Sequence, residues 1–182
     1  MTNKQNPWKK LASKISFTTP YYVVREDDVL RPDGKPGKYY VLDVPPSVFI
    51  IALTNANEVY LVGLYRYTTD MYSWELPAGS ANSDNMLEAA KRELQEETGL
   101  VSDDWQELGK LQAFNGKSNN FQYVFIARDV KETSENKQAE EGIKEVKKVS
   151  FAQALKMIDD HEITDSESIA ALILAGLRLK FI

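Results

Sequence analysis

Residues Leu76–Leu100 read LPAGSANSDNMLEAAKRELQEETGL, and this stretch decides how the whole chain is interpreted. Its Pro-Ala-Gly segment predicts a turn that leads into a polar loop. A helix is predicted from about Asn85 to Thr98, because Asp and Asn favour the N-cap and Gly99 is typical of a C-cap. Asn85 and Glu88 also have the spacing of a capping box.

The predicted helix carries an apolar stripe and, at its C-terminal end, a cluster of carboxylates. The stripe consists of Leu87, Ala90 and Leu94. At about 100° per residue, Glu93 and Glu97 lie about 40° apart on one side of the helix. Together with Glu96 they repel one another and weaken a bare helix, a conflict that a hard divalent cation would remove. The alternative is a solvated acidic face on which Arg92 pairs with Glu88 or Glu96.

Gly79, the loop after it and the segment Arg92–Leu100 resemble the Nudix box, a glycine-loop-helix signature of diphosphate hydrolases. The half that reads Arg-Glu-apolar-x-Glu-Glu-x-Gly-apolar matches at every position. Two departures lie upstream: Asp84 stands where the family usually has a glutamate, and the Gly79–Asp84 loop is one residue shorter. We interpret Asp84 as structural, because Asp is a favoured N-cap; a functional role is the alternative.

Strands are predicted on both sides of this helix, and two amphipathic helices close the chain. The predicted strands are Tyr21–Leu30, Tyr39–Leu42, Ser47–Leu53, Val59–Tyr65, Trp74–Leu76, Trp105–Phe114, Phe121–Ala127 and Glu145–Val149, and the closing helices are Phe151–Ile158 and Ser166–Leu179. Lys131–Lys144 lacks apolar periodicity and is predicted to be a mobile loop. The order of elements predicts an α/β/α sandwich with a mixed sheet, which is the Nudix architecture, plus an N-terminal β-hairpin region. We predict one Nudix domain over residues 1–182, with an N-terminal arm and strands (1–45) and a core (46–182).

The composition of the chain excludes several classes of function. The chain has 182 residues, a net charge of -5, no cysteine and a single histidine, His161. The negative charge argues against a nucleic-acid partner, and the missing cysteines exclude thiol chemistry. A histidine-based metal site is also excluded. No apolar run approaches the roughly 18 residues of a membrane helix, so we predict no membrane association and a cytoplasmic location.

Several stretches are similar to the ADP-ribose pyrophosphatase branch of the Nudix family. They are Leu64–Tyr67, Trp74–Gly79 and the segment that begins at Val149. The resemblance covers roughly residues 15–180 and implies hydrolysis of a nucleoside diphosphate-sugar such as ADP-ribose, giving a nucleoside monophosphate and a sugar phosphate. Asn115 replaces the branch's proline, and Asn119 or Asn120 replaces a glutamate. The alternatives are a Nudix hydrolase of another nucleoside polyphosphate and a non-catalytic nucleotide-sugar sensor.

The resemblance also implies a set of site residues. The metal, Mg²⁺ with Mn²⁺ as an alternative, would be held by Glu93, Glu96, Glu97 and the backbone carbonyl of Ala78. Such a metal offsets phosphate charge and lowers the pKa of a bound water. Arg92 would hold a carboxylate in place, for which an ordinary surface ion pair is the alternative.

Further residues are predicted to act on the water or on the substrate. Glu140 or Glu141 would be the general base, and a solvated acidic loop is the alternative. Gly79 and Arg66 would contact substrate, since Arg suits phosphate oxygens; a sheet-edge salt bridge is the alternative for Arg66. Tyr21 or Tyr22 would stack on the nucleobase, with a place in the core or at its rim as the alternative.

The N-terminal arm predicts self-association. Trp8 and Leu11 are apolar, and the sequence around them has too few other apolar residues to bury them. The branch pairs through its N-terminal strands, so the resemblance implies a homodimer that acts on a small nucleoside diphosphate.

Overall fold

Residues 5–81 and 85–182 are described by the structure, a computed structural model, and they divide into two units. The first runs to Pro45 and includes Gln112–Phe121, and the second comprises Pro46–Leu111 with Gln122–Ile182. The predicted cap at Asp84 therefore falls outside the described residues.

The first unit is built on an antiparallel sheet. Its strands are β1 (Lys9–Thr18), β2 (Val23–Leu30) and β3 (Pro36–Asp43), in the order β1-β2-β3. Gly34 adopts φ +80° in the turn between β2 and β3, where its amide donates to the Arg31 carbonyl at 2.8 Å. Such a φ favours glycine, which explains why the Pro-Asp-Gly cluster closes this hairpin. The predicted hairpin is confirmed, and β1 adds a third strand that pairs antiparallel with β2.

The second unit holds a mixed sheet and the helices. Its strands are β4 (Ser47–Leu53), β5 (Glu58–Arg66), β6 (Met71–Glu75), β7 (Ala78–Ser80), β8 (Leu100–Val101), β9 (Asp104–Gln112), β10 (Phe121–Arg128), β11 (Lys131–Glu132) and β12 (Ile143–Ser150), and its helices are α1 (Met86–Thr98), α2 (Gln138–Glu141), α3 (Phe151–Asp159) and α4 (Ser166–Leu179). The main sheet has the order β12-β5-β4-β10-β9, with β6 on β5 and β7 on β4. Strand β4 pairs in parallel with β10 and antiparallel with β7. The predicted mixed sheet is confirmed.

Strand β4 shows how the two faces of this sheet are covered. Val48, Ile50 and Ala52 pack in one cluster with Ala90 and Leu94 of α1. Alternate residues Phe49, Ile51 and Leu53 pack in another cluster with α3 and α4. Because successive strand side chains point to opposite faces, a continuous apolar run belongs to a strand buried on both sides. The predicted α/β/α sandwich follows from this arrangement and is confirmed.

Two sequence expectations were wrong. Pro77–Gly79 was predicted as a turn, but Ala78 and Gly79 belong to strand β7, whose backbone pairs with Ser47–Phe49 of β4. Lys131–Lys144 was predicted to lack structure, but it contains β11 and α2. Strand β11 pairs with β8, and α2 ends at Gly142 with φ +73°. Strand β11 and helix α2 are short and polar and have no apolar periodicity in the sequence, which is why both were missed.

One further finding concerns the helices. Throughout residues 5–81 and 85–182, no helix combines the length and the apolar character needed to cross a membrane.

Candidate active site

Helix α1 presents its carboxylates to the strand that precedes it. Asn85 caps the helix, accepting from the amides of Leu87 at 3.1 Å and Glu88 at 3.2 Å, and Gly99 ends it at φ +70°. These caps fix the phase of the helix, so the buried positions 93 and 97 face β7 while Glu88 stays in solvent and pairs with Lys91 at 2.8 Å.

Glu97 is tied directly to the start of β7. Its Oε2 accepts a hydrogen bond from the Ala78 amide at 2.9 Å, and the residue is only 8% exposed. Burial raises the pKa of the Glu97 carboxyl to about 8. The hydrogen bond from Ala78 opposes this rise, whereas the charge of Glu93 adds to it.

Glu93 lies one turn earlier in the helix, against Gly79. Arg92 Nη2 donates to Glu93 Oε1 at 2.6 Å and to the Ser80 carbonyl at 3.0 Å. Burial raises the pKa of Glu93, and Arg92 partly offsets that rise. Arg92 therefore links the helix, a carboxylate and β7 at one point.

Glu96 faces a different set of partners. Its Oε2 accepts from Arg92 Nη1 at 2.8 Å, and its Oε1 pairs with Lys137 from the segment before α2. The Lys137 hydrogen bond, followed by that of Arg92, lowers the pKa of Glu96. The sequence alternative of an Arg92–Glu96 pair is thus observed together with the Arg92–Glu93 contact.

The electrostatics of this cluster fit a hard cation. Glu93 and Glu97 are buried carboxylates whose mutual repulsion raises the pKa of Glu97, and the charge of Glu141 raises the pKa of both. Carboxylate oxygens are the ligands that Mg²⁺ and similar ions take. Glu93 is paired with Arg92, and Glu96 with Arg92 and Lys137, and within the described ranges no three His, Cys, Asp or Glu side chains are gathered so that they could hold a metal. Metal binding by Glu93, Glu96 and Glu97 would therefore require these side chains to move toward one another.

Arg66 makes the salt bridge that the sequence had offered as an alternative. Its Nε and Nη2 donate to Glu75 Oε1 at 2.9 Å and Oε2 at 2.5 Å, a two-pronged contact across β5 and β6. Glu75 is buried, and the hydrogen bond with it raises the pKa of Arg66 further. The charge of Glu97 acts on Arg66 as well, so Arg66 lies near the carboxylate cluster.

The remaining predicted residues are placed as follows. Glu140 and Glu141 are both exposed on α2, and Glu141 acts electrostatically on Glu93 and Glu97. Tyr21 and Tyr22 belong to the first unit, with exposed side chains and amides that donate to Thr19 Oγ1.

The asparagines that replace branch residues are used inside the first unit. Asn119 Oδ1 accepts from the Val44 amide at 3.1 Å, and its Nδ2 pairs with Asp43. Asn120 Nδ2 donates to the Pro45 carbonyl at 2.5 Å. These amides therefore fasten the loop to the end of β3.

Sequence reasoning missed Lys137, Glu75 and Glu167 as members of this neighbourhood. Lys137 was an unremarkable charge in a polar stretch. Glu75 was visible as a carboxylate between apolar neighbours in a strand, a signal that could have suggested a partner. Glu167 looked like an ordinary acid in the first turn of a helix.

The fold and this carboxylate cluster define a Nudix protein, and comparison with known families agrees. A family model described as the NUDIX domain matches residues 43–172. A second, the nucleoside diphosphate sugar hydrolase N-terminal domain, matches residues 8–42. The chain therefore belongs to the Nudix family, and the resemblance predicted from the sequence is confirmed.

Individual relatives point to one branch of that family. The chain is 28% identical over 169 residues to an ADP-ribose pyrophosphatase of Bacillus subtilis, covering 90% of each protein. It is 29% identical over 173 residues to an ADP-ribose pyrophosphatase of Mycobacterium tuberculosis, covering 93% of this chain and 83% of the relative. A crystal structure of an ADP compounds hydrolase matches with a TM-score of 0.84 at 20% identity, covering 98% of this chain and 97% of that one, which supports the fold. The chain is thus a Nudix hydrolase similar to ADP-ribose pyrophosphatases.

Proposed function

We propose that this chain hydrolyses the diphosphate linkage of a nucleoside diphosphate-sugar such as ADP-ribose. One water is consumed: its oxygen bonds to a phosphorus atom, the bond from that phosphorus to the bridging oxygen breaks, and a nucleoside monophosphate and a sugar phosphate leave. The observation that carries this proposal is the convergence of the buried Glu93 and Glu97 carboxylates on Ala78 and Gly79. The names of the relatives supply the substrate class.

We propose Mg²⁺ as the ion, with Mn²⁺ as the alternative. Glu93, Glu97, Glu96 and the Ala78 carbonyl would hold it. When bound, it would offset the charge of the diphosphate and lower the pKa of a bound water. In its absence, burial and, to a smaller extent, the charge of Glu93 raise the pKa of Glu97.

The chain's own residues have distinct proposed tasks. Arg92 orients Glu93 and Glu96, since it contacts both. Glu141 is the favoured general base over Glu140, because its charge reaches Glu93 and Glu97. Gly79 has no side chain, so it would let the substrate approach the carboxylates closely.

Two kinds of substrate contact are proposed. Arg66 would contact a phosphate while it stays paired with Glu75, and Tyr21 or Tyr22 would stack on the nucleobase. Residues 1–45 would pair two copies of the chain, and 46–182 would form the core of a single Nudix domain. The exposed Leu11, Ile15 and Phe17 of β1 support such pairing. A cytoplasmic homodimer is the expected state, and light scattering that gives only the monomer mass at micromolar concentration would refute the dimer.

A second candidate is a sensor that binds the nucleotide sugar without cleaving it. The observation that favours it is the engagement of Glu96 by Arg92 and Lys137, which withholds one carboxylate from a metal.

Release of AMP from ADP-ribose separates the two candidates. The hydrolase should release AMP only when Mg²⁺ or Mn²⁺ is present, and Glu97→Gln should lose at least about a hundredfold in kcat, as expected for a group that stabilises the transition state. Glu88→Gln is the matched control, because Glu88 lies on the exposed side of the same helix. Tight binding of ADP-ribose without release of AMP under either metal would favour the sensor.

A further inference from the structure

A cavity of about 440 Å³ opens next to the start of β7, where Glu97 accepts its hydrogen bond. Ala78 is part of its wall, and the Ala78 amide is the group that donates to Glu97. Arg66 also lines the cavity, and the negative charges of Glu97 and Asp165 both raise the pKa of Arg66, in addition to the larger effect of Glu75. The cavity and the carboxylate cluster are therefore neighbours within the second unit.

The lining of this cavity combines polar groups with some apolar surface. Residues with hydroxyl groups contribute to it from two sides, Thr68 and Thr69 after β5 and Ser166 at the start of α4, while Phe49 and Met71 supply the apolar part. A sugar ring, which has hydroxyls around its rim and C–H groups on its faces, matches such a mixed lining.

The charge of the lining is negative. Arg66 is matched by Glu75 through two hydrogen bonds, at 2.9 and 2.5 Å. Asp165 and Glu167 then remain as an acidic excess at the start of α4. Like charges in a shared, partly desolvated space repel strongly, so a further phosphate would be disfavoured there.

These two carboxyl groups are held in position by the fold. Asp165 caps α4 and accepts from the Ser168 amide at 2.8 Å, while Glu167 accepts from Gln122 Nε2 at 2.9 Å. Ser168 is fully buried, and its Oγ accepts from the Leu76 amide at 3.0 Å, which fastens α4 to the strand leading to Ala78. Burial, reinforced by the hydrogen bond with Asp165, raises the pKa of Glu167 to about 7, so the negative charge of Glu167, and with it the repulsion of a phosphate, is complete only above neutral pH.

We infer that this cavity receives the uncharged sugar of a nucleoside diphosphate-sugar and that Asp165 and Glu167 exclude substrates with a phosphate at that end. The inference rests on the proposed function and deepens it. Asp165 and Glu167 would thus decide between nucleotide sugars and nucleoside triphosphates or dinucleoside polyphosphates, by repelling the wrong substrate as well as by binding the right one.

Binding of uncleavable analogues tests this separately from catalysis. In the analogues of ADP-ribose and ATP, a methylene group replaces every oxygen that bridges two phosphorus atoms. Calorimetry with Mg²⁺ at about pH 8.5, where the Glu167 carboxyl is ionised, gives a Kd for each. The wild-type protein should bind the ADP-ribose analogue at least about tenfold more tightly than the ATP analogue. Glu167→Gln should reduce that preference about fivefold or more with an unchanged Tm, since its amide oxygen can still accept from Gln122.

The matched control is Glu162→Gln, which removes an equal charge from an exposed position outside the cavity and should keep the wild-type preference. The inference is overturned if Glu167→Gln keeps the wild-type preference, or if the wild-type protein shows none. Failure to release AMP from ADP-ribose would remove the hydrolase proposal, but the two Kd values would still decide this one.

Discussion

Gly79 lies directly against the carboxyl group of Glu93. A Cβ atom on this glycine would stand 2.1 Å from Glu93 Cδ and 2.2 Å from its Oε1, far closer than atoms can approach. Strand β7 cannot easily retreat, because its backbone pairs with β4. The glycine is therefore required by the space that the carboxylate occupies.

Gly79→Ala should displace the Glu93 carboxylate more than it unfolds the protein. The colliding atoms are the end of a flexible side chain, so we expect a stability loss of no more than about 2 kcal/mol. The kcat for ADP-ribose should fall at least about a hundredfold, because even a 1 Å displacement of a reacting group is costly. Thermal unfolding and steady-state kinetics measure the two effects.

Gly116→Ala is the control for this change, since a Cβ at that position meets nothing within 4 Å. It should behave like the wild-type protein in both measurements. Equal activity of Gly79→Ala and the wild-type protein would contradict the steric role of Gly79.

The stability of the metal-free protein should fall as pH rises. The pKa of Glu97 is raised from 4.5 to about 8 on folding, so between these values the folded state binds more protons than the unfolded state. The stabilisation is full below about pH 4.5 and is lost as pH rises through about 8, a change on the order of 5 kcal/mol at 1.36 kcal/mol per pKa unit. Urea unfolding in EDTA at a series of pH values measures it.

Two comparisons make this test specific. Glu97→Gln should flatten much of the decline, because its side chain has no proton to lose. Millimolar Mg²⁺ should stabilise the wild-type protein most at the high end of the range, since the ion prefers ionised carboxylates. A pH profile that Glu97→Gln leaves unchanged would contradict the assignment.

Glu141→Gln should slow catalysis more than Glu140→Gln. The Glu141 charge acts on both Glu93 and Glu97, whereas Glu140 acts on Lys137. Loss of a general base typically costs about 10²–10⁴-fold, so we expect at least a hundredfold fall in kcat for Glu141→Gln and little change for Glu140→Gln. The kcat of both variants across pH measures this, and a larger loss for Glu140→Gln would reverse the assignment.

Arg66→Lys should destabilise the protein as well as weaken binding. Lysine keeps the charge but cannot make the two parallel hydrogen bonds to the buried Glu75. Because Arg66 is half exposed, we expect a loss of only about 1–2 kcal/mol, together with a raised KM if Arg66 also contacts phosphate.

The partner variant Glu75→Gln separates these two roles. The Arg66→Lys/Glu75→Gln double variant should lose less stability than the sum of the losses of the two single variants, because each single change removes the same Arg66–Glu75 interaction. A KM that does not move in Arg66→Lys would leave only the structural role.

Local spacing in the sequence was enough to predict the central helix and strand β4. Asn85 and Gly99 cap α1, and the buried faces of Glu93 and Glu97 follow from the helical repeat. Strand β4 was predicted with its observed bounds, since its apolar run is long and uninterrupted. These features depend on residues a few positions apart, whose geometry the backbone fixes.

Contacts between distant residues were decided only by the tertiary structure. Lys137 reaches Glu96 from 41 residues along the chain, and Ser168 fastens α4 to Leu76 from 92 residues away. The Arg66–Glu75 bridge required the register of β5 against β6. Sequence spacing does not encode the register or the packing between elements. It therefore indicated candidate carboxylates for the site, but not which of them are paired, buried or exposed to a cavity.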